Sequence, residues 1–375
     1  MELRIRADAV YTPYTVLHDA VLTIRNGVVA SLRGSGPYDV DRRGYSIAPG
    51  YIDTHTHGCC GIDFTNAASL KDLAELARGY LKFGVTSLLP TTVSAKHERI
   101  LGLLGLVKSA GDLGGARILG VNLEGPYINR ARRGAQDPEA IRDPNPAEVR
   151  QYLSYGVVRV MTLAPELPGA LEVVEELASA GVIASVGHTD ADYATTKSAV
   201  AAGASRATHL FNAMREFHHR EPGPVGALLE AEDVYLELIV DLIHLRPEAV
   251  RLVLGSAGHR RVVLITDSIA AAGLGEGEFK LGGVRVIVKG NKATLEDGTL
   301  AGSVLTLDKA VKNVASLGVE PKIAIAMASR VPALSIGRPD LGCLKPGCIA
   351  DFVVLEGLDV VETYVGGENK MSILK

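Results

Sequence analysis

The sequence predicts an α/β protein whose main part is a (β/α)8 TIM barrel, joined to a small β-sandwich domain built from the N- and C-terminal segments. Short apolar runs typical of buried strands alternate with helical stretches through the middle of the chain. About eight such runs occur, which is the number of strands that closes a parallel barrel. The chain has 375 residues, of which 47% are hydrophobic, so it can fill a barrel core and a second, smaller one.

The expected domain boundaries follow changes in pattern along the chain. Residues 1–48 contain short strand-like runs, and the dipeptide Asn26-Gly27 between two of them indicates a hairpin because both residues tolerate positive φ. Residues 49–335 carry the alternating strands and helices, and residues 336–375 return to a β-like pattern. We expect the first and last segments to pair into one small domain beside the barrel.

Apolar periodicity and turn residues define the predicted elements of the barrel. Leu73, Leu76 and Tyr80 recur at helical spacing, and Pro247 suits the first turn of a helix, where its missing N–H costs nothing. The predicted strands are 51–57, 85–90, 118–123, 157–163, 182–186, 207–211, 234–240 and 262–266. The predicted helices are 70–83, 100–107, 170–180, 191–202, 247–254, 305–316 and 321–327, with a brief β-rich interruption from residue 281.

Composition and charge argue against several classes of partner. The formal net charge is −4 and there is no long basic run, which argues against nucleic acid as a ligand. No apolar run reaches the length of a membrane span, and the first ten residues lack the apolar core of a signal peptide. None of the 4 cysteines lies in a CxxC motif, so we expect reduced, mostly buried thiols in a cytoplasmic protein.

Two histidines stand at the end of the first predicted barrel strand. His55 and His57 are separated by one residue, and residues two apart in a strand project to the same face. Both imidazoles can therefore point towards one metal ion. The alternative is a histidine pair satisfied by the backbone and solvent, which is the commoner explanation when such a motif is taken alone. Asp53, just before them, would support a ligand or accept a hydrogen bond at the strand end.

Further ligand-type side chains follow other predicted strands, at the end where the active sites of such barrels lie. They are Glu124 after the third strand, His188 after the fifth, His209 after the sixth and Asp267 after the eighth. Each alone could be an ordinary core or surface residue, but their convergence on one mouth of the barrel predicts a metal site. Nitrogen and oxygen ligands suit Zn, Fe, Mn or Co; we expect Zn first, with one or two divalent ions per chain.

Several longer motifs resemble the amidohydrolase superfamily and, within it, the family of N-acetylglucosamine-6-phosphate deacetylases. The resemblance covers essentially the whole chain, and the motif THLFNAM followed by REPG is far more specific than two histidines in a strand. The motifs are PGYIDTHTHG at 49–58, VNLEGPYINRARRGA at 121–135, SVGHT at 185–189, THLFNAM at 208–214, REPG at 220–223, DLIH at 241–244, ITDS at 265–268 and GTLAGS at 298–303.

The resemblance implies a metal-dependent enzyme that removes the acetyl group from N-acetyl-D-glucosamine 6-phosphate in amino-sugar catabolism. It implies that Glu124, His188 and His209 hold the core metal ion and that Asp267 is the catalytic acid and base. It also implies a homodimer with shared active sites, because Arg220 in this family binds the phosphate in a neighbouring subunit. The residues that it implies for contact with the amino-sugar phosphate are Ala135, Gln136, Asn212, Ala213, Arg220, His244, Ala301 and Ser303.

Three features separate this chain from parts of the family. Some members lack the first-strand histidines and hold one ion, whereas this chain keeps His55 and His57, so a second ion bridged by Glu124 is expected. Many members have His where Gln136 stands, and Gln can donate a hydrogen bond but cannot carry a charge. The motif DLIH also has Leu242 where the family usually has Gly.

Two alternatives remain open from the sequence. One is a related amidohydrolase that acts on N-acetylgalactosamine 6-phosphate or on another amide or amine. The fourth strand ends in VRVMTLAPE and supplies no Lys, unlike the amidohydrolases that bridge two metals with a carbamylated Lys. The other alternative is a non-catalytic assembly protein that has kept the fold, and the complete set of ligands together with Asp267 argues against it.

Overall fold

The computed structural model describes residues 2–13 and 15–371, and it confirms the predicted fold class. The strands are β1 (Glu2–Tyr11), β2 (Val16–Arg25), β3 (Val28–Arg33), β4 (Val40–Pro49), β5 (Tyr51–Thr56), β6 (Gly58–Cys59), β7 (Ile62–Asp63), β8 (Val85–Thr92), β9 (Arg117–Ile118), β10 (Val121–Glu124), β11 (Val158–Leu163), β12 (Ile183–Val186), β13 (Arg206–Ala207), β14 (Tyr235–Ile239), β15 (Val262–Ile265), β16 (Gly277–Leu281), β17 (Val284–Lys289), β18 (Lys292–Thr294), β19 (Phe352–Glu356), β20 (Asp359–Val365) and β21 (Glu368–Asn369). The helices are α1 (Leu70–Leu81), α2 (His97–Ser109), α3 (Pro146–Ser154), α4 (Ala170–Ser179), α5 (Tyr193–Ala201), α6 (Gly223–Glu230), α7 (Pro247–Ala257), α8 (Leu307–Ser316), α9 (Pro321–Ala328) and α10 (Arg330–Ser335).

The barrel is a parallel sheet in which strand order follows chain order. Strands β5, β8, β10, β11, β12, β13, β14 and β15 lie side by side in that sequence, and the short β9 pairs with β8. The backbone N–H of Asp267 donates to the carbonyl of His55 at 2.9 Å, which brings the end of the eighth strand beside the first. Thr266 strengthens this seam, because its hydroxyl donates to Asp53 Oδ2 at 2.6 Å. Asp53 therefore acts as a hydrogen-bond acceptor between the first and last strands.

The helices cover the outside of the barrel with their apolar faces. In α1 the predicted residues Leu73, Leu76 and Tyr80 are all buried. This helix begins with a capping box, in which Ser69 and Asp72 each accept a hydrogen bond from the other's backbone N–H. Strands β5 and β8 are buried along their whole length, as expected for parallel strands covered on both faces.

The first and last segments form one seven-stranded sheet, as predicted for the small β domain. Its strand order is β21-β20-β19-β4-β1-β2-β3, so β4 from the head of the chain pairs with β19 from the tail. The rings of Phe352 and Tyr364 stack at a centroid distance of 4.3 Å in its separate apolar core. Strands β16 to β18 make a further three-stranded sheet, which is the predicted β-rich interruption. None of the helices in the described residues combines the length and apolar character that a bilayer span requires.

The sixth barrel strand is shorter than the sequence predicted. The pattern predicted a strand over 207–211, but β13 contains only Arg206–Ala207. His209, Phe211 and Ala213 have φ angles of +28°, +78° and +53°, left-handed conformations that a strand cannot contain. The third predicted strand is divided into β9 and β10, and helices α3, α6 and α10 were not predicted. The turn after β13 is buried and is therefore as apolar as a strand, so hydrophobicity alone did not distinguish this turn from a strand.

The prediction of reduced cysteines is wrong for one pair. Cys343 and Cys348 form a disulfide that closes a short loop, whereas Cys59 and Cys60 are free thiols. The search for CxxC spacing missed the pair because these residues are five apart. Gly347, with φ at +92°, helps the chain to turn back, and the two Cα atoms lie 6.0 Å apart, within reach of a disulfide.

Candidate active site

The two first-strand histidines point into the barrel mouth, as their spacing predicted. His55 and His57 are both buried at the C-terminal end of β5. Their Nε2 atoms lie 3.4 and 3.0 Å, respectively, from Oδ1 of Asp267, which follows β15. The same Nε2 atoms lie 3.4 Å from the carboxylate of Glu124 at the end of β10.

Glu124 is the residue that joins the two halves of the cluster. Its Oε1 lies 3.0 Å from Nε2 of His188 and 2.9 Å from Nε2 of His209. Two overlapping ligand groups therefore share this one carboxylate: His55, His57, Glu124 and Asp267 form the first, and Glu124, His188 and His209 the second. All six ligand-type residues predicted from the strand ends are thus brought together.

Each histidine is oriented through its other ring nitrogen. His57 Nδ1 lies 3.1 Å from the carbonyl of Thr91, and His55 Nδ1 lies 2.8 Å from Oε2 of Glu237. His188 and His209 use the carbonyls of Arg132 and Asn212, at 2.8 and 3.2 Å. Because every one of these partners is an acceptor, Nδ1 carries the hydrogen and Nε2 presents a lone pair to the centre.

Lone pairs facing one another at these distances call for a cation. The Nε2 atoms of His188 and His209 are 3.1 Å apart, and in the tautomers set by their anchors neither nitrogen can donate to the other. His55 Nε2 is buried and has no hydrogen-bond partner. Imidazole nitrogens and carboxylate oxygens are the ligands of Zn, Fe, Mn and Co sites, so the residues fit a divalent metal ion.

The charges within the cluster hold its carboxylates in their ionised form. Burial alone would raise the pKa of Glu124, but His188 and His55, when their rings are protonated, hold it well below its ordinary value. Burial alone would also raise the pKa of Asp267, but the hydrogen bond from a protonated His57 and the charge of a protonated His55 keep it below its ordinary value. Two ionised carboxylates in a buried mouth make a site that favours cations.

The backbone is strained at three of these residues. His188, His209 and Asp267 have φ angles of +48°, +28° and +50°, in the left-handed region that residues with a Cβ seldom adopt. Each lies two residues beyond the last residue of a barrel strand. Strain of this kind persists where the surrounding structure determines the conformation, and it gathers at functional sites.

Gln136 lies against the cluster from the loop that follows β10. The backbone N–H of Ser94 donates to Gln136 Oε1 at 2.7 Å, which fixes the side-chain amide because an N–H must meet its oxygen. Its Nε2 then donates to Glu124 Oε2 at 2.8 Å. The same Nε2 also lies 3.4 Å from Nε2 of His188, so the amide contacts both ligand-type residues.

A cleft of about 510 Å³ opens above the cluster. Most of the residues implied for substrate contact line it, including His244, whose Nδ1 lies 2.7 Å from Oδ2 of Asp241. Leu242, in the motif DLIH, takes φ at +65°, a conformation that Gly reaches without strain. The lining includes His57, Val93, Glu124, Arg132, Arg133, Ala135, Gln136, His188, His209, Asn212, Ala213, His244, Asp267, Leu300 and Gly302.

Three of the residues implied for substrate contact do not line the cleft of their own chain. Arg220 is exposed, and its Nη1 lies 2.9 Å from Nε2 of His219. Ala301 is fully buried, and the hydroxyl of Ser303 donates to the carbonyl of Thr266 at 2.6 Å. Ser303 therefore supports the strand end that carries Asp267.

Sequence reasoning missed two charged residues beneath the cluster. Glu237 on β14 and Arg206 on β13 are fully buried, and Arg206 Nε donates to Glu237 Oε1 at 2.7 Å. Burial alone would raise the pKa of Glu237, but Arg206 and His55 hold it below its ordinary value. A glutamate inside the apolar run Val234–Val240 was the available signal, because such a charge needs a buried partner.

Buried histidines and carboxylates that converge at the C-terminal ends of the strands of a (β/α)8 barrel define a metal-dependent hydrolase. The chain belongs to the amidohydrolase family, whose model matches residues 46–375. The resemblance found in its sequence motifs is thereby confirmed.

Relatives and solved structures match along nearly the full length. N-acetylgalactosamine-6-phosphate deacetylase from Escherichia coli O157:H7 is 39% identical over 371 residues, covering 97% of this chain and 98% of the relative. N-acetylglucosamine-6-phosphate deacetylase from Bacillus subtilis strain 168 is 37% identical over 328 residues, covering 83% and 82%. The structure of a mutant N-acetyl-D-glucosamine-6-phosphate deacetylase from Mycobacterium smegmatis, in complex with N-acetyl-D-glucosamine 6-phosphate, matches with a TM-score of 0.94 at 35% identity, over 98% of this chain and 99% of that one.

The two ligand groups lead to a prediction about metal content. We expect wild type to bind up to two divalent ions per chain, and His55→Ala/His57→Ala to lose one of them, because only the first group depends on these imidazoles. Elemental analysis after dialysis against excess metal measures this ratio. The matched control is His218→Ala/His219→Ala, an exposed pair outside the cluster, which should keep the wild-type ratio. Wild type that never exceeds one ion would contradict the prediction.

Proposed function

We propose that this enzyme hydrolyses N-acetyl-D-glucosamine 6-phosphate to D-glucosamine 6-phosphate and acetate, in amino-sugar catabolism. The observation that carries the proposal is the complete cluster of four histidines, Glu124 and Asp267 at the floor of a cleft lined by Asn212, Ala213 and His244. Deacetylases of amino-sugar 6-phosphates that resemble the chain along most of its length support the choice of substrate.

The metal would be held by the two ligand groups that share Glu124. Of these, Glu124, His188 and His209 would hold the essential ion, and His55 and His57 would hold a second one together with Glu124. When bound, a divalent ion in such a site lowers the pKa of a coordinated water to about 7 and polarises a carbonyl group. Zn is the first choice for this ligand set, and Fe, Mn and Co also suit it.

Asp267 is placed to move the proton. Its carboxylate is kept ionised, and it lies at the cleft floor beside the histidines. It accepts a proton from the attacking water and then gives that proton to the amine nitrogen as the C–N bond breaks. The products are the free amine and acetic acid, which becomes acetate by losing the remaining proton of the water to solvent, and the carboxylate of Asp267 returns to its ionised form.

The walls of the cleft bind and orient the substrate. We assign to the second N–H of the Gln136 amide, on the side of His188, a hydrogen bond to the acetyl oxygen, where negative charge develops. We assign binding of the sugar phosphate to Asn212, Ala213 and His244, with Arg220 of a neighbouring subunit as the phosphate ligand. Phosphate binding far from the reacting carbon supplies orientation for the reaction.

A second candidate function is deacetylation of the 4-epimer, N-acetyl-D-galactosamine 6-phosphate. One observation favours it: the E. coli relative with that name matches 97% of this chain and 98% of its own length at 39% identity. The same acetamide chemistry serves both epimers, so the metal cluster does not discriminate between them.

The test is acetate release from a panel of N-acetylhexosamine phosphates by metal-reconstituted protein. We expect the highest kcat/KM for N-acetyl-D-glucosamine 6-phosphate, because the proposal assigns the cleft to that epimer. A higher value for the galactosamine epimer would establish the second function. Wild type that carries metal but releases no acetate from any member of the panel would contradict both.

The proton transfer by Asp267 predicts the behaviour of Asp267→Asn. Asn keeps the shape but cannot accept and return a proton, so kcat should fall by at least about 10²-fold, whereas substrate affinity, metal content and melting temperature should change little. Because the pKa of Asp267 is held low, wild-type kcat/KM should fall only as the pH drops through that value, and this acidic limb should flatten or move in the variant. Asp143→Asn, at an exposed loop position, is the control. Near-normal turnover in Asp267→Asn would refute the assignment.

Arg220 leads to a prediction about the assembly, which we infer to be a cytoplasmic homodimer with shared active sites. Arg220 is exposed and absent from the cleft of its own chain, so it is free to reach a partner's phosphate site. Mixed dimers of Arg220→Ala chains with Asp267→Asn chains should therefore recover part of the activity that each homodimer lacks. Verified mixed dimers without any recovery would show that Arg220 acts within its own chain.

A further inference from the structure

Arg206 and Glu237 form an ion pair in the interior of the barrel, below the ligand cluster. Both side chains are fully buried, and Arg206 is the largest fully buried side chain among the described residues. Arg206 also donates to Ser335 Oγ at 3.2 Å through Nη1 and to the hydroxyl of Thr54 through Nη2. The pair therefore ties the sixth and seventh strands to the first strand and to the end of α10.

Glu237 receives donors on both of its oxygens. Oε1 accepts from Arg206 Nε at 2.7 Å. Oε2 accepts from His55 Nδ1 at 2.8 Å and from the backbone N–H of His209 at 3.1 Å. One carboxylate thus contacts two residues of the cluster, but its contact with His209 is to the backbone, and the ring of His209 is held separately by Asn212.

Stability alone is a poor explanation for such a pair. Removing two charges from water is unfavourable, and replacing buried ion pairs by apolar residues of similar volume is often neutral or stabilising. The other three histidines of the cluster are anchored by backbone carbonyls, whereas His55 depends on a side chain. That difference points to a function for the pair at His55.

We propose that Glu237 is a positioning residue for the ion site of His55 and His57, and that Arg206 holds Glu237 in place for this task. The inference rests on the proposed two-ion site. Glu237 keeps the hydrogen of His55 on Nδ1, so that Nε2 presents its lone pair to the ion. Loss of this carboxylate removes the only hydrogen-bond partner that the structure gives to the His55 ring.

The variant Glu237→Gln tests whether Glu237 orients the His55 ring or only fills space in the barrel interior. Gln has nearly the same shape but offers one oxygen and one NH2 group. The guanidinium of Arg206 requires the oxygen, so the NH2 group takes the place of Oε2, donates to His55 Nδ1 and leaves the backbone N–H of His209 without this acceptor. The hydrogen of His55 then moves to Nε2, and it must leave that nitrogen before a metal ion can bind there. Second-sphere changes of this kind typically weaken metal affinity by about 10- to 100-fold.

The double variant Arg206→Met/Glu237→Leu tests the positioning of His55 without leaving a buried charge unpaired. It removes both charges and roughly keeps the volume, so folding should be retained, as judged by the urea midpoint. His55 nevertheless loses its anchor. Ser335→Ala is the matched control, because it removes another contact of Arg206 and leaves Glu237 and His55 in place.

The measurement is zinc content per chain by elemental analysis at a series of free zinc concentrations, with the urea midpoint of each variant. We expect Glu237→Gln and the double variant to bind the second zinc ion at least about 10-fold more weakly than wild type, while the first ion and the fold are retained. Ser335→Ala should match wild type. In Glu237→Gln, ¹⁵N NMR of the His55 ring should show the hydrogen on Nε2, which a merely structural role would not move.

Two results would overturn the inference. One is a folded Glu237→Gln or double variant that binds the second zinc ion with wild-type affinity. The other is wild type that holds only one zinc ion at saturation, since there would then be no second ion for His55 to bind. The deacetylase proposal is judged separately by acetate release, so either result would leave it standing. Conversely, absence of acetate release would leave the zinc measurements valid.

Discussion

The central constraint of this structure is the gathering of hydrogen-bond acceptors at one buried point. When the four histidines are neutral, four Nε2 lone pairs and two carboxylates meet there, and none of these nitrogens can donate to its neighbours. They cannot hold one another in place without a cation, so each must be held from outside. The anchors come from Thr91, Arg132, Asn212 and Glu237, which lie on four separate stretches of the chain. The cluster therefore depends on the closed barrel to bring these stretches together.

The contacts that close the barrel consequently also set the geometry of the site. The N–H of Asp267 bonds to the carbonyl of His55 at 2.9 Å, so the hydrogen bond that seals the last strand to the first also sets two ligand-type residues side by side. Its carbonyl accepts from Ser303 N at 2.8 Å, which braces the same turn from the other side. A left-handed backbone at Asp267 is tolerated because both of its peptide groups are fixed by this pairing.

Regular periodicities made part of this site predictable from sequence. The same-face placement of His55 and His57 follows from the two-residue repeat of a strand, and Glu124 and Asp267 were found because barrel chemistry lies at strand ends. Other features depend on partners distant in sequence. Glu237 looks like an isolated charge in an apolar strand until β13 brings Arg206 beside it. The turn at His209 looks like a strand, because a buried turn and a buried strand share the same hydrophobicity.

The floor and the walls of the cleft have different tasks in choosing between the two epimers. In the proposed reaction, the cluster at the cleft floor acts on an acetamide group that both epimeric sugars carry in the same chemical form, so no arrangement of His55, Glu124 or Asp267 can favour one epimer. Their difference is the direction of one hydroxyl at C4, away from the scissile bond. Discrimination must therefore come from groups on the cleft walls, such as Asn212 and His244. Since a site built to hydrogen-bond a hydroxyl rejects an analogue that leaves its polar groups unpaired, a few wall residues can set the preference without altering the chemistry.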